Sequence, residues 1–283
     1  MNTREFILSK QIQWALNNGI TLQGSEGIKG KQCYTTTLED NLFEPLSEEV
    51  IAQFKGGDGG ELSGVVPKMC ALHSSSALGL NVFHYWKSIG DASTIAQACK
   101  FCSSKSRIST DIQFEEKYPI NPKFRYPPNL DVVIQNKPDS KYKVFAIECK
   151  FTEAYGSKHS GFKPAYLDLD IWNGIPELRT LANRMEAKEQ VYSHLDAGQL
   201  IKHILGLKNA YDKTGFRLMY LWYDALGKDG YIHRKEVDKF SRITKADGIK
   251  FHTLTYQELI HKLAEAYREQ HGAYVRYLTE RYL

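Results

Sequence analysis

Polar and apolar residues alternate at a spacing of two through the middle of the chain. In Lys143-Val144-Phe145-Ala146-Ile147-Glu148-Cys149-Lys150-Phe151, successive side chains of an extended strand face opposite sides. That places Glu148 and Lys150 on one face about 7 Å apart, and Phe145, Ile147, Cys149 and Phe151 on the other. Asn129-Leu130-Asp131-Val132-Val133-Ile134 is a second β-branched run, and Lys137-Pro138-Asp139-Ser140 supplies turn residues between the two. The pair predicts an antiparallel hairpin that carries Asp131 toward Glu148. Upstream, Asp111-Ile112-Gln113-Phe114-Glu115 is strand-like and can point Glu115 inward. Phe216 to Tyr223 is nearly continuous apolar sequence, the mark of a strand covered on both faces, and Ile249 to Leu254 is a further short strand.

Elsewhere the period becomes helical. Arg4 to Leu16 predicts a helix with Phe6, Ile7, Trp14 and Ala15 as apolar contacts, ended by Asn17-Asn18-Gly19; Ser47-Glu48-Glu49 opens a short helix running to Phe54. Ser75 to Ile89 reads as a helix ending at Gly90, with the serines after His73 as its cap. Pro176 suits the first turn of a helix continuing toward Leu195. In the next helix Leu200, Ile201, Ile204, Leu207 and Tyr211 form an apolar stripe, while Gln199, Lys202, His203 and Gly206 form a second, polar face that can look onto Glu148. Thr255-Tyr256-Gln257-Glu258 is a capping box opening a terminal helix with Leu259, Leu263 and Tyr267 on one side. The expected architecture is α/β, with a central mixed sheet flanked by helices. Residues 1–70 are expected to form a helical extension packed on a core of residues 71–283.

Composition sets wider bounds. With 283 residues, 42% hydrophobic and 25% charged, the chain is long enough for a substantial core. Its densest apolar stretch, Leu218 to Tyr223, is far too short to span a bilayer, and the first residues lack a signal-peptide pattern, so a cytoplasmic protein without a membrane partner is expected. A net charge of +4 permits nucleic-acid binding without requiring it. Local contrast says more: Glu39 to Glu61 is acidic, whereas Lys117, Lys123, Arg125, Lys137, Lys141, Lys143, Lys158 and Lys163 surround the hairpin in sequence and can guide a phosphate backbone. Five cysteines, an odd number, argue against a disulfide framework, and Cys99-x-x-Cys102 has no second pair to complete a zinc site.

The chemistry concentrates on the hairpin. Two carboxylates, Asp131 and Glu148, suit a hard divalent cation such as Mg²⁺, with Mn²⁺ as a substitute, and Lys150 beside them can orient or deprotonate an attacking water. This is the equipment of phosphodiester hydrolysis; the bland alternative is a strand face carrying a salt bridge. Glu115 is a further carboxylate, either an auxiliary ligand or base or a solvated charge beside Glu116 and Lys117. Gln199 can position Lys150 or a phosphate, and His203 shares its face. Gly56 to Gly60 lacks a following Gly-Lys-Ser/Thr, so it reads as a mobile loop over substrate rather than a phosphate-binding loop.

Asn129-Leu130-Asp131 followed by Glu148-Cys149-Lys150 resembles the PD-(D/E)xK nuclease superfamily, with the usual proline displaced to Pro127-Pro128. Gln199-Leu-Ile-Lys-His203 is similar to the Gln-x-x-x-Tyr helix of its RecB-like branch, with His in place of Tyr. Longer phrases, among them Gly57-Asp58-Gly59-Gly60-Glu61-Leu62 and Ala71-Leu72-His73-Ser74-Ser75-Ser76-Ala77-Leu78, resemble a group of bacterial restriction-endonuclease-like proteins. The resemblance implies a restriction-endonuclease-like core and a Mg²⁺-dependent endonuclease, with DNA the expected substrate and RNA an alternative. It also implies the Cys149 backbone carbonyl as a metal ligand beside Asp131 and Glu148. Many relatives carry an acid on the helix before the first core strand; here that helix offers Asn81, which leaves Glu61 or Glu115 for the part. A double-strand break from one encounter calls for two protomers, so a homodimer is expected. The competing expectation is a nucleic-acid-binding protein of this fold without turnover.

Overall fold

The computed structural model describes residues 2–23, 31–103, 105–156 and 161–283. Its centre is a five-stranded sheet in the order β1 (Ser109–Lys117), β2 (Asn129–Asn136), β3 (Val144–Lys150), β4 (Phe216–Trp222) and β5 (Phe251–Thr255). The hairpin pairs β2 with β3 antiparallel, and β1 joins β2 in the same sense. β4 and β5 then add in parallel. Parallel neighbours need a long crossover, and helices supply both crossovers here. The sheet is therefore mixed and flanked by helices, the α/β architecture expected from the pattern.

The helices, in chain order, are α1 (Thr3–Asn17), α2 (Glu48–Gly56), α3 (Ser75–Ser88), α4 (Ala92–Ala98), α5 (Pro176–Glu186), α6 (Ala197–Tyr211), α7 (Gly227–Ala246), α8 (Tyr256–Tyr267) and α9 (Gly272–Tyr282). The capping box expected of Thr255 with Glu258 is present on α8, and Asn2 with Glu5 forms another on α1, each a reciprocal pair satisfying two orphan N–H groups. On one sheet face Phe114, Val132, Ile134, Phe145, Ile147 and Cys149 share a core with Leu78, Val82 and Phe83 of α3 and with α8 and α9. On the other, Val133, Val144, Ala146 and Leu218 pack with Leu178, Leu200, Ile204 and Phe240. β3 is thus covered on both sides and buried until Lys150, where it emerges.

Residues before α3 belong to the same core. Ile7, Leu42, Val50, Phe54 and Met69 lie in the cluster that holds Phe83 and Ile147. Arg281, 2% exposed, ties the two ends of the chain together. Its guanidinium donates to Gln11 Oε1 at 3.1 Å and to the Asn41 carbonyl at 2.9 Å, and also to Asn41 Oδ1. Its plane lies 4.2 Å from the Trp14 ring centroid. A buried charge met by neutral acceptors and an aromatic face holds α1, α9 and the Asn41 turn in one geometry.

Two expectations change, and one long helix is added to them. The helix opened by Pro176 stops at Glu186 instead of continuing toward Leu195. The N–H groups of Glu189 and Gln190 turn back to the Arg184 carbonyl at 2.8 and 3.1 Å, and Lys188 takes φ 60°. Lys188 to Gln190 offers no apolar position to extend the buried face. The helix opened by Thr255 is not terminal, because α9 follows it. The longest helix, α7, was not expected: only Gly230, His233, Val237, Phe240 and Thr244 are buried, a thin inner stripe in a largely charged sequence.

Candidate active site

The β2–β3 register runs from Gln135–Val144 to Val132–Ile147 and goes no further. Beyond that point a side chain replaces the strand carbonyl: the Cys149 N–H donates to Asp131 Oδ2 at 2.6 Å. The N–H and C=O of one residue leave an extended strand on the same edge, so the Cys149 carbonyl also faces the Asp131 side. The Cys149 thiol points away into the α3 core, where it lies beside Gly79. Glu148, one residue back, projects to the opposite face and is 1% exposed. Lys150 Nζ donates to Glu148 Oε1. On the far side His203 Nε2 of α6 stands 2.8 Å from Glu148 Oε2, an ion-pair distance but off the line of an N–H···O bond. Among the described residues neither that oxygen nor either His203 ring nitrogen has an aligned hydrogen-bond partner.

Charge divides unevenly between the two carboxylates. Burial, and then the neighbouring Glu148 charge, push Asp131 well above the usual carboxylate range, more than Lys150 and the Cys149 N–H pull it back. Burial would also raise Glu148, yet Lys150 and His203 together outweigh it and hold the carboxyl below its ordinary value. Burial would lower Lys150, but Glu148 and Asp131 keep it protonated and raise it. Two close carboxylates with one ammonium thus settle as one charged and one reluctant to ionise.

Glu115 lies across the sheet from Asp131, bracketed by the pairs Phe114–Val132 and Glu116–Leu130. Its φ is 56°, a left-handed backbone that a non-glycine residue adopts at a cost of about 1–3 kcal/mol. The side chain accepts from Asn129 Nδ2. Burial pushes its carboxyl up to about 7, with Glu61 and Glu148 adding to the rise and Asn129 opposing it. Gly57 packs closely here: a Cβ on it would lie 2.7 Å from Glu115 Oε2 and would displace the carboxylate. The Gly56–Gly60 loop, expected to be mobile, is tethered: Asp58 meets Lys117 at 2.8 Å, and Lys68 Nζ donates to the Gly59 carbonyl at 2.6 Å.

A cavity of about 600 Å³ opens beside Lys150, lined among others by Arg4, Glu61, Lys68, His73 and Glu153. Glu61 thus forms part of its wall, one of the two extra carboxylates weighed from sequence, and burial raises its pKa. A larger cavity of about 680 Å³ lies against Trp222, Asp224 and Arg234 and touches none of Asp131, Glu148 and Lys150. Chemistry, not size, selects the site.

Gln199 stands one helical turn before His203 on the same face of α6, and its side chain has no hydrogen-bond partner among the described residues. His203 and Gly206, read as part of a polar face, are buried. A Cβ at Gly206 would collide with the Tyr118 carbonyl, so α6 presses directly on the end of β1. The basic residues divide in two. Lys137, Lys141 and Lys143 belong to the hairpin turn at the opposite end of the strands from Asp131, and Lys143 Nζ donates to the Pro138 and Ser140 carbonyls at 2.6 and 2.9 Å. Lys117, Lys123, Arg125 and Lys163 lie in or next to segments that leave the Asp131 end. Lys158 falls outside the described residues. His203, to which the sequence assigns no role beyond sharing a face with Gln199, is the α6 residue that meets Glu148, and its spacing of four from Gln199 is the signal for it.

The donor set can be matched to a cation. Among the described residues no group of three or more His, Cys, Asp or Glu side chains is placed to hold one. Two carboxylates and a backbone carbonyl are nevertheless all hard oxygen donors, and Mg²⁺ retains waters in its remaining positions. Burial is the first cause of the rise in Asp131 and the Glu148 charge the second; that second part is the repulsion a cation between them would relieve.

A family model for restriction endonucleases associating with ARP matches residues 10–283, nearly the whole chain. The chain belongs to the REase-ARP family. Neither a curated protein nor a solved structure matches it. REase-ARP membership agrees with the five-stranded mixed sheet and its flanking helices, a restriction-endonuclease-like fold. No helix among the described residues is long and apolar enough to cross a membrane.

Proposed function

We propose that this REase-ARP protein is a divalent-metal-dependent endonuclease of PD-(D/E)xK type that hydrolyses phosphodiester bonds in DNA. The observation that carries the reading is the convergence of Asp131, Glu148, Lys150 and the inward edge of Cys149 where β2 and β3 part. Asp131, Glu148 and the Cys149 carbonyl would hold Mg²⁺ or Mn²⁺, which supplies Lewis acidity and lowers the pKa of bound water.

The remaining work falls to the chain's own groups. Lys150, kept protonated between two carboxylates, donates toward a non-bridging phosphate oxygen and offsets the charge that builds in the transition state. In this state it is an electrostatic donor and not a base. Glu115, pushed up to about 7, exchanges a proton near neutral pH and is suited to take one from the attacking water. His203 orients Glu148 from behind, and Gln199 reaches the same side of the site one turn along α6. The reading places the protein in the cytoplasm with DNA, acting as a homodimer where both strands are cut, and in association with the ARP of the family's description.

The test is incubation of pure protein with supercoiled plasmid, linear duplex, single-stranded DNA and RNA in Mg²⁺, Mn²⁺ or EDTA. Cleavage of DNA with metal and none in EDTA is expected. Cleavage of RNA alone would transfer the reading to RNA, and binding without cleavage in any metal would leave a silent nucleic-acid-binding protein.

A further inference from the structure

The segment joining β1 to β2 leaves and re-enters the sheet at the candidate site, and its sequence is Asn121-Pro122-Lys123-Phe124-Arg125-Tyr126-Pro127-Pro128. It is built to hold one shape. The base closes where Tyr118 N–H donates to the Pro128 carbonyl at 3.0 Å. Asn121 makes the turn, accepting from Lys123 N at its side chain (3.0 Å) and from Phe124 N at its carbonyl (3.1 Å). Phe124 anchors the middle by stacking on Tyr166, centroids 4.3 Å apart, from the loop that follows β3. Three prolines remove much of the remaining backbone freedom.

What this frame presents outward is one ring and two cations. Tyr126 is 62% exposed, and Arg125 lies 5.2 Å from its ring centroid. Lys123 and Arg125 are exposed and have no carboxylate at ion-pair distance among the described residues. Tyr126 is five residues from Asp131, which caps their separation at about 18 Å. Arg125 and the Tyr126 ring make a cation–π contact, so the ring and the two cations stand together as one solvent-facing group. It matches what a nucleic-acid strand offers: a base to stack and phosphates to pair. Bases within a duplex are already stacked and expose only edges, so the flat face of Tyr126 suits a base that has lost its neighbour.

We propose that the Asn121–Pro128 segment is a strand-docking arm on which Tyr126 stacks an unpaired nucleobase while Lys123 and Arg125 hold its flanking phosphates. The substrate class is then single-stranded DNA, or DNA with an unpaired base near the scissile phosphate. This rests on the nuclease reading for its purpose but not for its test, because docking needs no metal.

The experiment is fluorescence anisotropy in EDTA with a single-stranded oligonucleotide and a fully paired duplex of equal length. The parent is compared with Tyr126→Ala, Tyr126→Phe and the double variant Lys123→Ala/Arg125→Ala. Tyr126→Ala should weaken single-strand binding about tenfold, within the range of one base–aromatic stack, and leave duplex binding within about twofold. Tyr126→Phe should retain parental affinity, since the ring and not the hydroxyl stacks. The double variant should weaken both ligands and lower the salt slope by about 1 to 2. Equal loss on both ligands for Tyr126→Ala, no loss on either, or a Tyr126→Phe as weak as Tyr126→Ala would overturn the proposal. A protein that shows the expected selectivity yet cuts nothing removes the nuclease reading alone. One that cuts DNA while Tyr126→Ala binds normally removes this proposal alone.

Discussion

His203 Nε2 stands 2.8 Å from Glu148 Oε2, with both side chains 1% exposed. Lys150 holds the other oxygen, so the carboxylate is gripped by α6 from behind and by its own strand from in front. A carboxylate proposed as a metal ligand gains from such support, because partners on both oxygens fix its orientation. His203→Ala should therefore lower Mn²⁺ affinity by about 10-fold to 100-fold, the usual loss when a ligand's supporting partner is removed. Titration calorimetry checks this, and unchanged affinity would mean that the contact is packing only.

Lys150→Ala should reduce cleavage at least about a hundredfold, the usual cost of losing one donor to transition-state charge. Affinity for DNA in EDTA should stay within a few-fold, since phosphate contacts elsewhere supply most binding. Plasmid nicking and anisotropy read the two quantities separately. Undiminished nicking by this variant would falsify its assigned role.

The two proposed ligands should respond oppositely when neutralised without metal. Asp131 is raised by burial and by Glu148, so Asp131→Asn should match or exceed the parent in melting temperature in EDTA. Glu148 is held charged by Lys150 and His203, so Glu148→Gln leaves the buried Lys150 ammonium without its nearest counter-charge and should melt lower. A cation binding the native state at a hundred times its Kd adds about 2.7 kcal/mol, a shift of several degrees in the parent. Both variants should lose most of that shift. If either keeps it in full, the two carboxylates do not share a cation.

Glu115 provides a pH test. Its carboxyl is raised from 4.5 to about 7 in the folded chain, so the folded state binds more protons than the unfolded one between those values. Stability from this residue is complete below about pH 4.5 and is lost as pH rises toward 7. Glu115→Gln removes the cost of charging it. In EDTA the variant should equal the parent near pH 4.5 and exceed it at pH 8 by up to about 3 kcal/mol. Urea melts at the two pH values decide it, and a difference that does not grow with pH would show that Glu115 is not held neutral.

How much of this was legible without coordinates follows from the range of the forces involved. Alternation from Lys143 to Phe151 determined that Glu148 and Lys150 share a face and that Cys149 turns to the core, because the strand period is local. The turn residues from Lys137 to Ser140 determined the hairpin, and the reciprocal hydrogen bonds of Thr255 and Glu258 determined where α8 starts, again within a few residues.

What lay beyond local pattern was decided by packing between distant segments. Nothing near Val132 or Ile147 in sequence says that their ladder stops there, or that Asp131 then captures the Cys149 N–H. His203 read as one residue of a polar helical face, yet α6 presses so closely on Tyr118 that His203 and Gly206 are buried and the imidazole stands against Glu148. The raised carboxyl of Glu115 comes from burial by the folded chain, with Glu61 and Glu148 adding to it, contacts made across the fold. Lys137, Lys141 and Lys143 are close to Asp131 in sequence but sit a strand's length away, since a hairpin carries its turn to the opposite end from its open strands. Periodicity names the face a side chain occupies; only the folded chain determines what waits on that face.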